Sequence, residues 1–398
     1  MHRNDRRLQA IDHFCAFFIG GMGMKRLLAL FLLTVLICPG ASASEPFTVE
    51  AKGAVLIDAD SGRILFGQNE NEMLPMASTT KIMTALIAIE NADLEDTVTT
   101  GKNASGVEGT SMYLSVDEAL SMEHMLYGLM LRSGNDAAVA IAEHVAGSVS
   151  KFADLMNARA SELNADAHFV NPHGLDADGH KASALGLTKI MREAMKHESF
   201  RTITGTSRKV VPWVGNEYSR VLQNKNRLLT DYEGAIGGKT GYTGKAGRCL
   251  VFCAERDGLT LIGAVLNCPS WFDTAERLLD YGFENFRTEN AFAAGTTAAV
   301  LPVTGGELKK VDILTGSALV AAVDVDSETE ILLNLPESAP APVYAGQVMG
   351  KAQIETDGIV IAQCDLVAAI DVPKRSVLRT LIRILRNWTG LLPAEASS

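Results

Sequence analysis

Residues 75–84 of this 398-residue chain read PMASTTKIMT and carry a serine and a lysine three positions apart, Ser78 and Lys81. The apolar residues around them recur at helical spacing, which predicts a helix from Met76 to Glu90 with Ser78 at its start. Residues three apart share one helix face, so an uncharged Lys81 amine can take the Ser78 proton. We therefore predict Ser78 as a nucleophile and Lys81 as its general base. Taken alone, the two residues would be an N-cap hydroxyl and a solvated charge.

A second short motif, Ser133-Gly134-Asn135, follows a predicted helix over 118–132. The Ser133 hydroxyl can relay a proton, and the Asn135 amide can hold Lys81 or a peptide group of a substrate. The same residue types are also common where one helix stops and another starts. We assign Ser133 to proton relay and Asn135 to substrate binding.

A third motif, Lys239-Thr240-Gly241, follows two further glycines and precedes a predicted strand. Lys239 supplies positive charge toward a substrate carboxylate and toward Ser133, and Thr240 offers a hydroxyl. Gly241 lets a substrate backbone approach closely. Tyr242 completes the predicted binding residues, because its backbone N–H, with that of Ser78, can form an oxyanion hole. The plainer alternative is a glycine-rich strand edge.

The rest of the chain predicts an α+β fold. Apolar runs broken by short turns predict a hairpin at 54–66 and another at 250–266. Strands at both ends of a helical middle indicate an antiparallel sheet packed against helices. The helices are predicted at 76–90, 118–132, 136–146, 151–163, 188–197 and 274–286.

Three segments outside this domain, which we bound at 44–290, have their own character. Residues 291–373 are rich in Val, Ala and Thr with frequent turns, which predicts a small all-β domain. Residues 374–393 place arginines on one helix face and Leu, Ile and Trp on another, which is typical of an amphipathic helix at a membrane surface. The alternative is a terminal helix docked on the protein itself.

The first 43 residues resemble an export signal, with Lys25 and Arg26 before an apolar run and Ala41-Ser42-Ala43 as a cleavage site. Residues 1–21 fit no part of such a signal, and we expect the true start at Met22 or Met24. Export permits disulfides, yet we favour buried free thiols for Cys249, Cys253, Cys268 and Cys364, with a 253–268 bridge as the alternative. The net charge of −11 argues against nucleic acid as a partner.

With its three motifs in this order, the chain resembles the low-molecular-mass penicillin-binding proteins that are D-alanyl-D-alanine carboxypeptidases, serine peptidases of family S11. The segment FVNPHGLD at 169–176 and the segment LDYGF at 279–283 extend the resemblance, which covers about 55–286. The implied fold is the transpeptidase domain shared with serine β-lactamases, followed by a small β domain and a C-terminal amphipathic anchor.

The resemblance implies removal of the terminal D-Ala from peptidoglycan stem pentapeptides through an acyl-enzyme on Ser78. It implies no metal or organic cofactor, inhibition by β-lactams, and a place on the outer face of the cytoplasmic membrane. We interpret the segment around His173 as a structural turn. One departure is that residues 268–273, CPSWFD, lack the arginine expected near the substrate carboxylate. Lys239, Lys245 and Arg248 are the candidate replacements.

Other functions remain open from the sequence. A D,D-endopeptidase that cleaves cross-links uses the same residues. A β-lactamase is disfavoured because no glutamate loop for deacylation is evident and because the β domain and anchor are present. A non-catalytic cell-wall binding protein is disfavoured because all three motifs are intact.

Overall fold

The computed structural model describes residues 47–376 together with Leu381, Ile384 and Leu385. The predicted export signal at 1–43 and most of the predicted helix at 374–393 lie outside the described residues. Within the described part of the chain, no helix is both long enough and apolar enough to cross a membrane.

A five-stranded antiparallel sheet in the order β2-β1-β11-β10-β9 organises the first domain. The predicted hairpins supply four of its five strands: β1 (Gly53–Asp58) with β2 (Ile64–Gln68), and β10 (Gly247–Arg256) with β11 (Leu259–Leu266). The motif Lys239-Thr240-Gly241 lies in β9 (Ala235–Thr243), which is an edge strand. Because the edge has no further strand beside it, β9 is free to meet a substrate.

Helices cover both faces of this sheet. Val55 and Ile57 of β1 join the large core formed with the helical middle, whereas Leu56 faces the late helix. A side chain at Gly282 of that helix would meet Leu56 and Leu261, so glycine there permits close packing. The helices are α1 (Lys81–Asn91), α2 (Met122–Leu131), α3 (Asn135–Ala146), α4 (Val149–Glu162), α5 (Ala184–Ala194), α6 (Glu198–Gly205), α7 (Leu228–Asp231) and α8 (Trp271–Asn285).

Two predicted helices start later than expected, whereas those predicted at 188–197 and 274–286 start earlier, at Ala184 and Trp271. The one predicted from Met76 begins as a 3-10 turn, Ala77–Thr80, and becomes α-helical at Lys81. The one predicted from Glu118 starts at Met122, because residues 119–121 form β4, which pairs with β3 (Thr97–Thr99). Ser121 then caps α2 by accepting a hydrogen bond from the His124 N–H.

Short hairpins project from the helical part of the domain. They are β5 (Ala167–His168) with β6 (Lys181–Ala182) and β7 (Arg208–Val211) with β8 (Arg220–Gln223). The connection between β8 and β9 carries residues that reach the site described below.

An all-β domain follows, as the composition predicted. Its larger sheet has the order β16-β18-β19-β14-β13-β17, and β12 pairs with β15 in a second, two-stranded sheet. Buried aliphatic residues of both sheets, such as Ile313, Leu319 and Ile354, form its core. The strands are β12 (Phe286–Phe292), β13 (Thr297–Thr304), β14 (Lys310–Thr315), β15 (Leu319–Asp324), β16 (Thr329–Asn334), β17 (Ala339–Pro340), β18 (Val348–Thr356) and β19 (Ile359–Ala368).

Polar contacts join the two domains at the turn between β1 and β2. Arg63 donates to the Ala322 carbonyl oxygen at 2.8 Å and to Asp324 at 2.9 Å. Asp58 accepts from the Ala322 N–H at 2.9 Å. The β-domain strand β15 is therefore held against the first domain near its Asp324 end.

Cysteines in the described residues are free and buried: Cys249, Cys253, Cys268 and Cys364. Burial raises the pKa of the Cys268 thiol, and it raises those of the other three as well. These thiols therefore stay protonated and unreactive near neutral pH.

Candidate active site

Ser78 lies in the 3-10 turn that runs into α1, and Lys81 is the first residue of that helix. The Lys81 side chain is fully buried, and its Nζ lies 3.0 Å from Ser78 Oγ. The amine also donates to Asn135 Oδ1 at 2.7 Å and to the His173 carbonyl oxygen at 2.5 Å. Three oxygens therefore surround the amine and hold it against the serine hydroxyl.

The electrostatic surroundings favour an uncharged Lys81. Burial lowers the pKa of Lys81 well below its ordinary value, and the positive charges of Lys239 and Lys225 lower it further. Asp136 acts in the opposite direction, but its carboxylate already accepts backbone N–H groups of the segment 111–114. A neutral amine beside a serine hydroxyl can accept that hydroxyl's proton.

The loop between α2 and α3 brings Ser133 and Asn135 to the same place. Ser133 has a left-handed backbone, with φ of 61°, which turns the chain sharply before α3 begins. Thr110 Oγ1 donates to the Ser133 carbonyl oxygen at 2.5 Å, and Asn135 Nδ2 donates to that of Glu108 at 2.6 Å. The bonds to Glu108 and Lys81 together fix the orientation of the Asn135 amide.

Strand β9 closes the site from the other side. Lys239 is buried, and its Nζ donates to Ser133 Oγ at 3.1 Å and to the Thr240 carbonyl oxygen at 2.8 Å. Burial lowers the pKa of Lys239 to about 7, and the charge of Lys225 contributes. A side-chain carbon at Gly241 would lie 2.9 Å from the Ser78 backbone nitrogen, so only glycine lets the strand lie this close.

The segment 171–176 packs under the nucleophile. Asn171 accepts the Gly174 N–H at 2.7 Å, which closes a tight turn, and Gly174 has φ of 90°. A side chain at Gly174 would overlap the Ala77 carbonyl oxygen. The turn was predicted, but the contact of the His173 carbonyl with Lys81 was not, because a backbone carbonyl leaves no mark in a sequence.

Two histidines support this arrangement without charge. Burial lowers the pKa of His173 to about 3 and that of His180 to about 4. The His180 Nδ1 accepts from the Val170 N–H at 3.0 Å, so its Nε2 carries the proton and donates to Thr80 Oγ1 at 2.8 Å. His180 thus ties the 3-10 turn to the neighbouring loop, a role that the sequence alone did not suggest.

The predicted residues meet around a cleft of about 330 Å³ that opens at Ser78. Tyr242 lies at its rim with an exposed side chain. The cleft is lined by Ser78, Gly109, Thr110, Ser133, Asn135, Gly174, Leu175, Lys225, residues 240–243 and Trp271. Among the described residues, no group of His, Cys, Asp and Glu side chains is arranged to hold a metal ion.

A lysine that the sequence analysis did not select lines the cleft. Lys225, between β8 and β9, lines the cleft, and neither Lys245 nor Arg248 does. Burial and the nearby Arg132 lower the pKa of Lys225, and its amine has no hydrogen bond or ion pair within the described structure. Arg248 instead donates to the Pro269 carbonyl oxygen at 2.7 Å.

This fold and site define a serine enzyme of the penicillin-binding-protein class, with its Ser-Lys pair at a helix start and a Lys-Thr-Gly edge strand opposite. The family model described as D-alanyl-D-alanine carboxypeptidase matches residues 40–270, and that described as the C-terminal domain of penicillin-binding protein 5 matches residues 286–374. The chain belongs to the D-alanyl-D-alanine carboxypeptidase family and is a serine carboxypeptidase of that family.

Individual relatives align with most of this chain. D-alanyl-D-alanine carboxypeptidase DacF of Bacillus subtilis is 32% identical over 387 residues, covering 92% of this chain and 99% of that protein. DacA of Escherichia coli K12 is 29% identical, covering 86% and 89%. The crystal structure of penicillin-binding protein 5 from Haemophilus influenzae superposes with a TM-score of 0.75 at 28% identity, covering 83% of this chain and 99% of that one.

Proposed function

We propose that the chain removes the terminal D-Ala of a peptidoglycan stem pentapeptide through an acyl-enzyme on Ser78. The observation that carries this proposal is the 3.0 Å contact between Lys81 Nζ and Ser78 Oγ inside a buried, cation-rich site. Neutral Lys81 takes the hydroxyl proton as Ser78 Oγ attacks the carbonyl carbon of the penultimate D-Ala. The backbone N–H groups of Ser78 and Tyr242 stabilise the oxyanion.

The leaving amine needs a proton before the peptide bond breaks. Ser133 stands between Lys239 and the cleft, so its hydroxyl donates to the D-Ala nitrogen and is resupplied from the lysines around it. D-Ala then leaves and Ser78 holds the shortened peptide as an ester. A water molecule, deprotonated by Lys81, hydrolyses that ester and restores the Ser78 hydroxyl.

The free carboxylate of the substrate distinguishes a carboxypeptidase from an endopeptidase. Lys225 is the cation that lines the cleft without an acidic partner, and Thr240 lines the same cleft. We assign the carboxylate to these two groups, with Lys239 adding positive potential from behind. A β-lactam carries a carboxylate beside its strained amide, so the same groups would bind it, and it would acylate Ser78.

We place the enzyme outside the cytoplasmic membrane, where its wall substrate lies. The signal-like segment at 1–43 supports export, and the basic amphipathic pattern at 374–393 supports attachment to the membrane surface. The polymer that the family acts on is extracytoplasmic, which agrees with both segments.

The decisive experiment measures D-Ala release from diacetyl-L-Lys-D-Ala-D-Ala by the chain lacking residues 1–43. Ser78→Ala is expected to lose at least about a thousandfold in rate, while Ser161→Ala, an exposed serine on α4, keeps full activity. Intact mass after exposure to a penicillin reports the adduct on Ser78. Adduct formation without D-Ala release would point to cross-linked peptide as the substrate, and neither signal would leave only a wall-binding role.

A further inference from the structure

The β domain has two ends of different character. Its proximal end, near the first domain, holds Asp324, which binds Arg63, and the β18–β19 turn at Asp357, which shares a cleft with Arg63. From there β18 runs for nine residues, roughly 30 Å at 3.3 Å per residue. The distal end, where β13 and β19 finish and β14 and β18 start, therefore lies at the far end of these strands from the contact with Arg63.

Three segments form that far end, and we call them the distal loops: 305–309, 343–347 and 369–375. Backbone hydrogen bonds join them into one surface. Glu307 N–H donates to the Pro373 carbonyl oxygen at 2.9 Å, Arg375 N–H to that of Gly305 at 2.8 Å, and Val343 N–H to that of Val372 at 3.0 Å. The described chain leaves this surface at residue 376.

Large apolar side chains project from each distal loop into solvent. Tyr344 is 61% exposed, Ile370 is 49% exposed and Leu308 is 45% exposed. Single exposed apolar residues are ordinary. Three in adjoining loops at one tip of a domain form a patch that a partner can cover.

The distal and proximal ends of the β domain also differ in charge. The distal loops and the adjoining start of β14 carry four exposed cations, Lys309, Lys310, Lys374 and Arg375, against two acids, Glu307 and Asp371. The proximal turns carry only acids: Asp324, Asp326, Glu328 and Asp357. A chain with a net charge of −11 thus has a locally basic tip.

We propose that the distal loops rest directly on an anionic lipid bilayer, with Tyr344, Ile370 and Leu308 in the headgroup region. Aromatic and aliphatic side chains ringed by lysine and arginine suit that interface, where the rings lie among headgroups and the cations meet lipid phosphates. Residue 376 is at this tip, and the basic amphipathic pattern of the sequence follows it along the chain. The inference uses the proposed location outside the membrane and not the proposed chemistry.

The first test uses the chain lacking residues 1–43 but otherwise complete, labelled with an environment-sensitive fluorophore at one new cysteine. Tyr344→Cys and Leu308→Cys report the distal loops, and Ile359→Cys, 65% exposed at the proximal end, is the matched control. The four natural cysteines are buried, and the unsubstituted chain gives the labelling blank. On phosphatidylglycerol vesicles, we expect the emission of the fluorophores at positions 344 and 308 to shift to the blue and to be protected from quenching by iodide. The fluorophore at position 359 should show neither change.

The second test reverses charge at Lys309→Glu with Lys310→Glu and measures binding to the same vesicles. A cation near an anionic surface strengthens binding about fivefold, so the double reversal is expected to weaken it at least about twenty-fivefold. Lys151→Glu on α4, with Lys196→Glu in the turn after α5, changes two exposed lysines of the first domain. This pair makes the same change in net charge and should have little effect.

Three results would contradict contact between the distal loops and the bilayer. Vesicle binding without a spectral change at 344 and 308 would overturn it and leave the C-terminal stretch as the contact. Equal weakening by the two charge reversals, or no binding to vesicles, would also overturn it. D-Ala release assayed in parallel reports on the proposed catalytic function separately, since none of these residues lines the cleft.

Discussion

The Lys81 amine lies 3.0 Å from the Ser78 hydroxyl and is itself shielded from solvent. The Lys81→Arg variant tests whether this contact works by proton transfer, because arginine keeps its charge at every pH at which the protein is folded. We expect the rate constant for acylation by a penicillin to fall by about 10²–10⁴, measured by stopped-flow or quenched mass spectrometry. The control is Lys151→Arg, at an exposed position of α4 outside the cleft. Normal acylation by Lys81→Arg would eliminate Lys81 as the base.

The charge of Lys239 should make the activity depend on pH. Its pKa is lowered to about 7 by burial and by Lys225, so its side chain is charged below that pH and neutral above it. If its charge draws in the substrate carboxylate, kcat/KM, which reports on the free enzyme, should fall as pH rises through a midpoint near 7. In the pH profile of kcat, the midpoint should lie at a higher pH, because the bound substrate carboxylate stabilises the charged form of Lys239.

The variant Lys239→Arg isolates that effect. Arginine stays charged, so the alkaline fall in kcat/KM should disappear even if the overall rate is lower. The same alkaline midpoint in both proteins would assign the titration to another group.

Lys225 should govern affinity for the free carboxylate. Lys225→Ala is expected to raise KM for diacetyl-L-Lys-D-Ala-D-Ala about tenfold or more, since a lost charge-assisted hydrogen bond costs about 1.5–3 kcal/mol. The matched variant Lys245→Ala removes an exposed lysine outside the cleft and should leave KM unchanged. A C-terminal amide substrate provides the internal check, because it lacks the charge and should lose its dependence on Lys225. Similar losses on both substrates would contradict the assignment.

Gly174 tests the packing beneath the nucleophile. Both Gly174 and Gly179 have positive φ, of 90° and 80°, so an alanine at either is strained to a similar degree. Only at Gly174 would the new carbon overlap the Ala77 carbonyl oxygen; at Gly179 it would lie 3.5 Å from the His168 ring. We expect Gly174→Ala to slow acylation at least about tenfold more than Gly179→Ala at matched stability, monitored by thermal unfolding. Equal rates would indicate that the turn can shift without moving Ser78.

The elements that the sequence predicted well are those that short-range patterns determine. Ser78 and Lys81 are three positions apart, so any helical turn brings them together. The alternating apolar runs at 54–66 and 250–266 specify antiparallel hairpins, and their separation by a helical middle indicates the α+β class. The small β domain followed from composition and turns.

Features that depend on distant neighbours escaped prediction. The Lys81 amine is held by the His173 carbonyl, 92 residues away, and no residue type marks a backbone acceptor. In the sequence, nothing distinguishes Lys225 from an ordinary surface lysine. In the fold, the segment that precedes β9 lies at the cleft and places Lys225 there. Glu118, expected within a helix, is instead drawn into an ion pair with Arg220 across 102 residues.

Arg220 and Glu118 are 4% and 2% exposed, and two hydrogen bonds of 2.6 and 2.8 Å join them. Burial acts to raise the pKa of Glu118, but the hydrogen bonds from Arg220 bring it below its ordinary value. Arg220 also donates to the Tyr113 carbonyl oxygen at 2.9 Å, so it fixes the loop that leads from the cleft residue Thr110.

Removing one partner of the Arg220–Glu118 ion pair should destabilise the protein more than removing both. Arg220→Met leaves a buried carboxylate without its cation and is expected to cost about 3–5 kcal/mol in the free energy of unfolding at pH 7. Arg220→Met with Glu118→Leu fills the space with apolar atoms and should recover most of that loss. Lys52→Met, which breaks an exposed pair with Glu72, should change stability by less than about 1 kcal/mol. Urea denaturation measures all three, and a double variant as unstable as the sum of its singles would contradict the coupling.

The pH dependence of the free energy of unfolding provides an independent test of the ion pair. Because the folded-state pKa of Glu118 is lowered, the pair stabilises the protein above the unfolded-state pKa, and this contribution disappears as pH falls through the folded-state value. The parent protein should therefore lose stability on acidification more steeply than the Arg220→Met, Glu118→Leu double variant, whose residue 118 does not titrate. Unfolding midpoints compared between pH 7 and pH 3 test this, and parallel curves would mean that other carboxylates control the acid limit.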